Sequence, residues 1–128
     1  MAGRVKSLGL CLGASSVSLV QVEAIRDGNG KTVPRILSQE SRSHEGDPRR
    51  CLLMALEGLE LSDFGRIAAT GRKFRNVVNL TSIPEPEALE AAYAFVKPPH
   101  VDCPAVVSAG GETFMAYLLD RSGRIRNV

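Results

Sequence analysis

Residues 8–20 read LGLCLGASSVSLV, and this segment gives the main indication of how the chain folds. Leu8, Leu10 and Leu12 alternate with small residues, a period of two that predicts a strand with one face in a core. The strand ends in four small residues at 13–16, and a second strand is predicted almost at once over 17–24. The sequence therefore opens with a strand, a small-residue turn and another strand.

The segments that follow predict more strands and a helix. Asp27–Gly30 supplies residues that tolerate positive φ in a hairpin loop, and the polar, Ser-rich run from Arg35 to Ser43 is typical of an edge strand. Asp47 and Pro48 predict an N-cap with proline in the first turn of a helix that ends near Gly58. Four leucines of this helix are expected to share one face: Leu52, Leu53, Leu56 and Leu59.

The rest of the chain predicts a strand, a second helix and three final strands. The strand covers Arg66–Thr70 and closes on Gly71. Pro86 is expected to open the helix, since a capping box of Ser82 and Glu85 would place Pro86 where it removes an intrahelical donor. Residues 97–99 are expected to stop it, and its shared face is expected to consist of Leu89, Ala92, Tyr93 and Val96. The final strands are predicted over 105–109, 114–119 and 124–128, with a turn at 120–123.

Composition and charge exclude several classes of protein. With 128 residues, 44% of them hydrophobic and 23% charged, the chain is long enough for one globular core and is not of disordered composition. The absence of an apolar run of about 20 residues predicts no membrane helix, and we expect a cytoplasmic protein. A net charge of +2 gives no support to a nucleic-acid partner.

The cysteines and histidines are too scattered to predict a metal site. Cys11, Cys51 and Cys103 stand far apart in the sequence, so we interpret them as reduced core thiols rather than a zinc pair or a disulfide framework. His44 and His100 are single residues in loop-like settings, and neither is assigned a metal-binding or general-base role. No metal-binding residue is therefore predicted.

Two turns of small residues are candidate anion-binding loops, because backbone N–H groups can reach an anion only where side chains are small. The first consists of Gly13, Ala14, Ser15 and Ser16, and the second of Gly110, Gly111, Glu112 and Thr113. Each alone is also typical of a tight turn. Their repetition in two strand-turn-strand units favours a shared role, in which both hold the phosphates of one nucleotide.

The same segments resemble a known family. Residues 8–20 resemble the first phosphate loop of the acetate and sugar kinase, chaperone and actin superfamily, and more narrowly that of the activator ATPases of 2-hydroxyacyl-CoA dehydratases and benzoyl-CoA reductases. IAATGRK at 67–73 and VVSAGGETFM at 106–115 follow in the order and spacing of that family's Thr-Gly strand end and second phosphate loop. PEPEALEAA at 84–92 is also similar to its members. The resemblance covers nearly the whole chain.

The resemblance implies an α/β fold. Residues 1–103 would form a ribonuclease H-like lobe with a mixed sheet, as in actin-like ATPases, and residues 104–128 the first hairpin of a second, truncated lobe. ATP with Mg²⁺ would lie between the lobes, with these nucleotide-binding residues: Gly13, Ala14, Ser15, Ser16, Gly110, Gly111 and Glu112. Members are homodimers that hold one [4Fe-4S] cluster and pass an electron to a dehydratase or reductase component. Their cluster cysteines lie beyond the second hairpin, so this chain is expected to hold no cluster ligand.

Two positions depart from the family's pattern. Cys11 stands where the first loop has an aspartate, and Ser108 stands where the second loop has another. Because Mg²⁺ prefers hard oxygen ligands, we expect feeble ATP binding and negligible turnover unless Glu112 supplies the charge. Glu112 is also open to interpretation as a solvated turn acid, and Ser15 and Ser16 as ordinary turn hydroxyls. No catalytic residue is assigned.

Other interpretations stay open at this point. A non-catalytic actin-like scaffold that acts through protein contacts is the main alternative, and a sugar or acetate kinase lobe is a third. The basic cluster of Arg72, Lys73 and Arg75 would suit phosphate, an acidic partner or a solvated loop. The last strands, residues 114–128, are expected to fold back on the first sheet or to pair between molecules, because a half-built lobe leaves their edges unpaired.

Overall fold

The computed structural model describes residues 4–71, 80–96 and 105–128. The chain divides into two compact units, Met1–Ser82 and Ile83–Val128. Its length alone favoured a single core, but the strands after residue 104 form a sheet separate from the first sheet. The second helix groups with these late strands, and the lobe boundary between residues 103 and 104 stays a prediction.

The first unit contains a mixed sheet of five strands. They are β1 (Val5–Leu12), β2 (Ser16–Arg26), β3 (Thr32–Ser43), β4 (Arg66–Thr70) and β5 (Thr81–Ser82), in the spatial order β3-β2-β1-β4-β5. The pairs β1-β2 and β2-β3 are antiparallel, and β4 runs parallel to both β1 and β5. The helix α1 (Pro48–Glu57) and a short 3-10 turn (Leu61–Asp63) connect β3 to β4. The predicted mixed α/β sheet is confirmed.

The period of two in β1 and β2 buries one face of the sheet. Leu8, Leu10 and Leu12 are each at most 3% exposed, and they pack with Val17 and Leu19 of β2. Burial of such side chains stabilises a fold by about 1.5 to 3 kcal/mol each. The apolar side chains that alternate along residues 8–20 therefore form the centre of the core, as the sequence predicts.

One stripe of α1 covers this core. Asp47 caps the helix, since its Oδ1 accepts a hydrogen bond from the N–H of Arg50 at 3.1 Å. Leu52 is buried, and Leu56 and Leu59 pack against the core from the same side. Leu53, however, is 58% exposed, so its expected place on the core face is wrong. The stripe of α1 that faces the core is filled by Cys51, Leu52, Ala55 and Leu56, and Leu53 lies beyond its edge.

The third strand is the edge of the sheet, as predicted, and every residue of β3 is exposed. It begins at Thr32, three residues before the predicted start at Arg35, because β2 extends to Arg26 and both strands pair up to the loop that joins them. A bulge beside Gln21 and Val22 shifts the register between the two strands. Polar side chains on both of its faces account for the low apolar signal of β3.

The second unit packs a helix on a small antiparallel sheet. Its elements are α2 (Glu85–Val96), β6 (Ala105–Ala109), β7 (Phe114–Leu119) and β8 (Ile125–Asn127), with strand order β6-β7-β8. Tyr93, Tyr117 and Leu119 are its buried hydrophobic residues within the described ranges. These strands do not join the first sheet, and their pairing between molecules stays a prediction.

The helix α2 differs from its prediction in two details. It begins at Glu85, one residue before Pro86, and the N–H of Ala88 donates to the carbonyl of Pro84 at 3.1 Å. A proline at the second position costs nothing, because N–H groups of the first turn have no intrahelical acceptor. Ala92 and Val96 are exposed, so the buried stripe is narrower than expected and centres on Tyr93.

The two units repeat one local architecture. In each unit, the turn of small residues is followed by a second loop that begins with an aspartate. Asp27 begins this loop after β2, and Asp120 begins it after β7. In both loops the aspartate Oδ1 accepts from the N–H groups two and four residues later, at 2.8 to 3.0 Å. Gly30 and Gly123 then adopt φ of +77° and +82°. The repetition expected from the sequence is confirmed, and it extends to a third strand.

No helix in residues 4–71, 80–96 and 105–128 is both long enough and apolar enough to cross a membrane.

Candidate functional site

The first candidate loop is a tight turn between β1 and β2. Leu12 and Val17 form the last pair of the hairpin, and the N–H of Gly13 donates to the carbonyl of Ser16 at 2.8 Å. A Cβ on Gly13 would lie 3.3 Å from that carbonyl oxygen, so the turn closes tightly around a residue without a side chain. Ala14 and Ser15 form the tip, and the four predicted residues lie together as expected.

The tip of this loop presents unused backbone donors. Among the described residues, no backbone carbonyl accepts a hydrogen bond from the N–H of Ala14 or Ser15. Three of the four loop carbonyls, by contrast, are engaged: those of Gly13, Ser15 and Ser16. A loop with bonded carbonyls and available N–H groups has the electrostatic character of an anion site.

The end of β4 packs directly against the end of β1 beside this loop. Gly71 has a φ of +121°, and a Cβ there would lie 2.2 Å from the carbonyl oxygen of Leu12. Only glycine fits this approach, which explains the Thr-Gly end of the strand. Thr70 pairs with Cys11 of β1, and its buried Oγ1 has no hydrogen-bond partner within the described parts of the chain. A buried hydroxyl without a partner is uncommon in proteins and marks this strand end as unusual.

The cysteines do not share one environment. Cys51 is half-buried against the core, in agreement with the sequence, whereas Cys11 is exposed. The interpretation of Cys11 as a core thiol is wrong, because alternate side chains of a strand point to opposite faces and the leucines of β1 occupy the core face. Cys103 lies outside the described residues.

His44 contacts the first loop, although no role was predicted for it. Its imidazole Nε2 lies 3.1 Å from the carbonyl oxygen of Gly13, and its backbone N–H donates to the carbonyl of Ser15 at 3.0 Å. The two segments are far apart in sequence, but the antiparallel pairing of β2 with β3 brings Ser43 opposite Ser16. The predicted hairpin of the second and third strands could have indicated this contact, because the end of the third strand must lie beside the start of the second.

The second candidate loop repeats the closure of the first. The N–H of Gly110 donates to the carbonyl of Thr113 at 2.9 Å, and a Cβ on Gly110 would lie 3.3 Å from that oxygen. Gly111 and Glu112 form its exposed tip. Among the described residues, no backbone carbonyl accepts from their N–H groups. The second set of predicted residues is therefore also together, at a turn of the same geometry.

A carboxylate that the sequence did not single out lies beside the second loop. Ser108 and Tyr117 both donate to Oε1 of Glu85 at 3.3 Å, which links the start of α2 to β6 and β7. Ser108 precedes Gly110 by two residues, as Cys11 precedes Gly13. The structure thus places a carboxylate next to one of the two positions where the sequence lacks it. Tyr117 is 2% exposed, so the packing of the unit holds this network in place.

The donor set suits phosphate better than it suits a metal ion. Two loops with small residues and available N–H groups fit an anionic ligand. No group of three His, Cys, Asp or Glu side chains comes together in the described ranges. Glu85 and Glu112 are the carboxylates near the second loop.

Several predicted features lie outside the described residues. They are the basic cluster of Arg72, Lys73 and Arg75, and also His100. That the cluster ligands of the resembling family fall outside this chain stays a prediction.

Solved structures of similar fold include an activator and several phosphatases. The chain matches the activator of the 2-hydroxyisocaproyl-CoA dehydratase from Clostridium difficile, solved with bound ADPNP, at 22% identity over 96% of this chain and 44% of that one, with a TM-score of 0.73. It matches a Ppx/GppA family member from Aquifex aeolicus at 15% identity over 98% and 50% of the two chains, with a TM-score of 0.62. An exopolyphosphatase from Cytophaga hutchinsonii matches at 13% identity over 88% and 46%, with a TM-score of 0.61.

These similarities establish an actin-like ATPase fold, which the sequence resemblance predicted. The chain spans about half the length of the structures that it matches, between 44% and 51%. No protein-family model matches the chain, and a comparison with curated proteins finds no match. At these identities the comparisons show the fold alone.

Proposed function

We propose that this chain is the N-terminal part of an ATP-dependent activator of a CoA-ester dehydratase or reductase. One observation carries the proposal: two turns, each closed by a glycine N–H bonded three residues ahead, stand after equivalent strands of a repeated architecture. Two such turns suit the phosphates of one nucleotide. The fold is shared with a dehydratase activator that binds ADPNP, which supports ATP as the ligand.

Each loop would offer backbone N–H groups to phosphate. Ala14 and Ser15 offer N–H groups from the first loop, and Gly111 and Glu112 offer them from the second. Mg²⁺ would neutralise phosphate charge when bound with ATP, and Glu85 and Glu112 are the carboxylates that would hold it, through water. The carboxylate of Glu112 also repels an anion, so its N–H and its side chain favour opposite ligands.

The proposal includes weak binding and negligible hydrolysis by this chain alone. Cys11 precedes the first loop with an exposed thiol, and Ser108 precedes the second with a hydroxyl. Neither group is a carboxylate, and a neutral thiol is a poor ligand for a hard cation. Positioning of the metal and of an attacking water would therefore fall to other residues.

The larger assembly follows the same proposal. A homodimer would hold a [4Fe-4S] cluster with cysteines outside this chain and would act on a dehydratase or reductase component in the cytoplasm. The lobes would divide at residues 103 and 104. Nucleic acid and membrane have no place in this assignment.

A second function is favoured by a specific observation. The exposed thiol of Cys11 at the first loop, in place of an acidic group, suits a non-catalytic actin-like scaffold that acts through protein contacts. An exopolyphosphatase-like protein would differ in another way, because it would need no adenine. Ligands that vary the base and the phosphate separately distinguish these possibilities.

The test is a calorimetric titration of the purified chain with ATP·Mg, ADP·Mg and tripolyphosphate·Mg. We expect ATP to bind with a dissociation constant of about 1 mM, equivalent to about 4 kcal/mol, and more tightly than tripolyphosphate. A phosphate-release assay run in parallel should stay at background.

Each of the other outcomes would contradict the proposal in a different way. Equal binding of ATP and tripolyphosphate would favour a polyphosphate site, and no binding of any ligand would favour the scaffold. Micromolar affinity with steady phosphate release would overturn the proposal of a weak site. Ala14→Asp is the matched variant, since a carboxylate at the loop tip should repel phosphate without entering the core.

A further inference from the structure

We infer that His44 is a positioning residue of the first phosphate loop, which its two hydrogen bonds hold with the carbonyls engaged and the N–H groups of Ala14 and Ser15 available. The inference rests on the proposed function, because the loop must bind an anion for this positioning to affect activity. It deepens that function by naming what shapes the loop.

The hydrogen bonds of the imidazole fix its tautomer. The N–H of Gly46 lies 3.1 Å from Nδ1 of His44, and an amide N–H can only donate, so Nδ1 is the acceptor. The carbonyl of Gly13, 3.1 Å from Nε2, can only accept, so Nε2 carries the proton. Both contacts are satisfied at once by the neutral Nε2–H tautomer and by no other form of the ring.

This one residue binds two of the three engaged carbonyls of the loop. The Nε2–H of His44 donates to Gly13, and its backbone N–H donates to Ser15 at 3.0 Å. The third engaged carbonyl, that of Ser16, accepts from the loop itself. Carbonyl oxygens near a phosphate would repel it, so a residue that binds two of them determines the electrostatic character of the turn.

His44 also ties the loop to the core. Its carbonyl accepts from the N–H of Asp47 at 2.8 Å, and Asp47 caps α1. Glu45 and Gly46 adopt positive φ of 48° and 85°, which turns the chain sharply between the histidine and the cap. Because Leu52 of α1 is 1% exposed, these contacts connect the first loop to the best-packed part of the unit.

The test measures the loop first and the ligand second. Nitrogen-15 NMR of the whole chain should show a protonated Nε2 and an unprotonated Nδ1 for His44. In His44→Leu, amide exchange of Gly13 should accelerate about two- to tenfold, the effect of losing one hydrogen bond. His44→Gln should restore most of the protection, because its amide N–H reaches as far as Nε2. Gln39→Leu, an exposed change on β3, the strand that ends just before His44, is the control.

The binding measurement separates positioning from simple stabilisation. Titration with ATP·Mg at a temperature where all variants are folded should weaken about two- to tenfold in His44→Leu and recover in His44→Gln. A purely structural histidine would lower the unfolding midpoint but leave the affinity of folded molecules unchanged. If His44→Leu does not fold, the tautomer of the wild-type protein and the ATP·Mg affinity of His44→Gln distinguish the positioning role from a purely structural one.

The outcomes distinguish the two proposals. An Nδ1–H tautomer, or Gly13 exchange that His44→Leu and Gln39→Leu affect equally, would overturn the positioning role. Nucleotide binding that persists unchanged in His44→Leu would also overturn it while leaving the proposed function in place. A wild-type chain that takes neither ATP nor tripolyphosphate, yet shows the expected tautomer and exchange, would overturn the proposed function and leave the loop anchor.

Discussion

The hairpin β1-β2 and the hairpin β6-β7 begin with the same turn and differ in what surrounds it. The first turn has His44 bonded to its carbonyls and Gly71 packed under the end of β1. Within the described parts of the chain, no side chain bonds to the backbone of the second turn, whose tip carries Glu112. Local sequence thus produces the same turn twice, and within the described residues a side chain of another segment bonds to the backbone of the first one alone.

The two sheets differ in the same direction. The first sheet has a contiguous core of eight buried residues, whereas the second unit buries three hydrophobic residues in its described part. Phe114 and Val107, on the strands that flank the second loop, are 77% and 66% exposed. Apolar side chains at such exposure contribute little to stability, so the second unit depends on a few contacts.

The largest expected effect comes from a methyl group at Gly71. Gly71→Ala places a Cβ 2.2 Å from the carbonyl oxygen of Leu12 and forces a residue with a side chain to adopt a positive φ. We expect a loss of more than about 4 kcal/mol in unfolding free energy, or failure of the first unit to fold. Urea denaturation measures this change.

Gly58→Ala is the control for Gly71→Ala. A Cβ there has nothing within 4 Å, and its φ is −83°. We expect a change within about 0.5 kcal/mol. Equal effects of the two substitutions would show that β4 does not pack against β1 as described.

The second unit should depend on one side chain. Tyr117→Ala removes a ring that is 2% exposed, and we expect a loss of about 3 to 5 kcal/mol. Hydrogen exchange should show that β6, β7 and α2 lose protection while β1 and β2 keep theirs. Tyr117→Phe removes only the hydroxyl bonded to Glu85 and should cost about 1 kcal/mol. Loss of protection in both sheets would contradict the division of the chain into two compact units.

The repeated Asp loops offer a smaller test of the comparison. Asp27→Ala removes the acceptor of two N–H groups, those of Asn29 and Lys31, and should cost the first unit about 1 kcal/mol. Asp27→Asn keeps the Oδ1 acceptor and should preserve most of the stability. Thermal unfolding of the three proteins measures the difference, and an equal loss in both variants would point to the charge instead of the hydrogen bonds.

The smallest effect concerns pH and the second Asp loop. Hydrogen bonds lower the pKa of Asp120 below its ordinary value, chiefly the bond from the Ser122 hydroxyl, followed by that from the N–H of Arg124. A lowered pKa means that the ionised loop is stabilised above the unfolded pKa, and that this stabilisation is lost as the pH falls through the lower folded value.

Carbon-13 NMR titration of the carboxyl group tests this pKa. Ser122→Ala should raise it toward the ordinary value of an aspartate, because it removes the largest cause of the shift. Arg121→Ala, a neighbour that does not contribute to the shift, is the control. An unchanged titration in Ser122→Ala would show that the side-chain bond does not form in solution.

Much of the fold follows from patterns of a few residues. The alternation of leucines in residues 8–20 predicted the core, the Asp47-Pro48 pair predicted the start of α1, and the Ser-rich run predicted an edge strand. These features depend on neighbours in the chain, so sequence alone is sufficient. The exposure of Leu53 and of Val96 was not predicted, because it depends on how wide a stripe the facing sheet can cover.

The candidate site divides in the same way. The seven predicted loop residues lie at two tight turns because glycine and small residues fix a turn locally. His44 and Glu85 were missed because their contacts join segments 31 and 23 residues apart. Single histidines and glutamates are not part of a local sequence pattern, so the residues near them do not predict such a contact.

The amino-acid sequence by itself determined the strands, the turns and the resemblance to actin-like ATPases, since alternation, capping and glycine act over a few residues. Tertiary structure alone decided which groups surround each turn. The pairing of β3 with β2 brings a histidine to the first loop, and the packing of α2 on its sheet brings a carboxylate to Ser108. Both depend on contacts between distant segments, which form only when the sheets and helices are assembled.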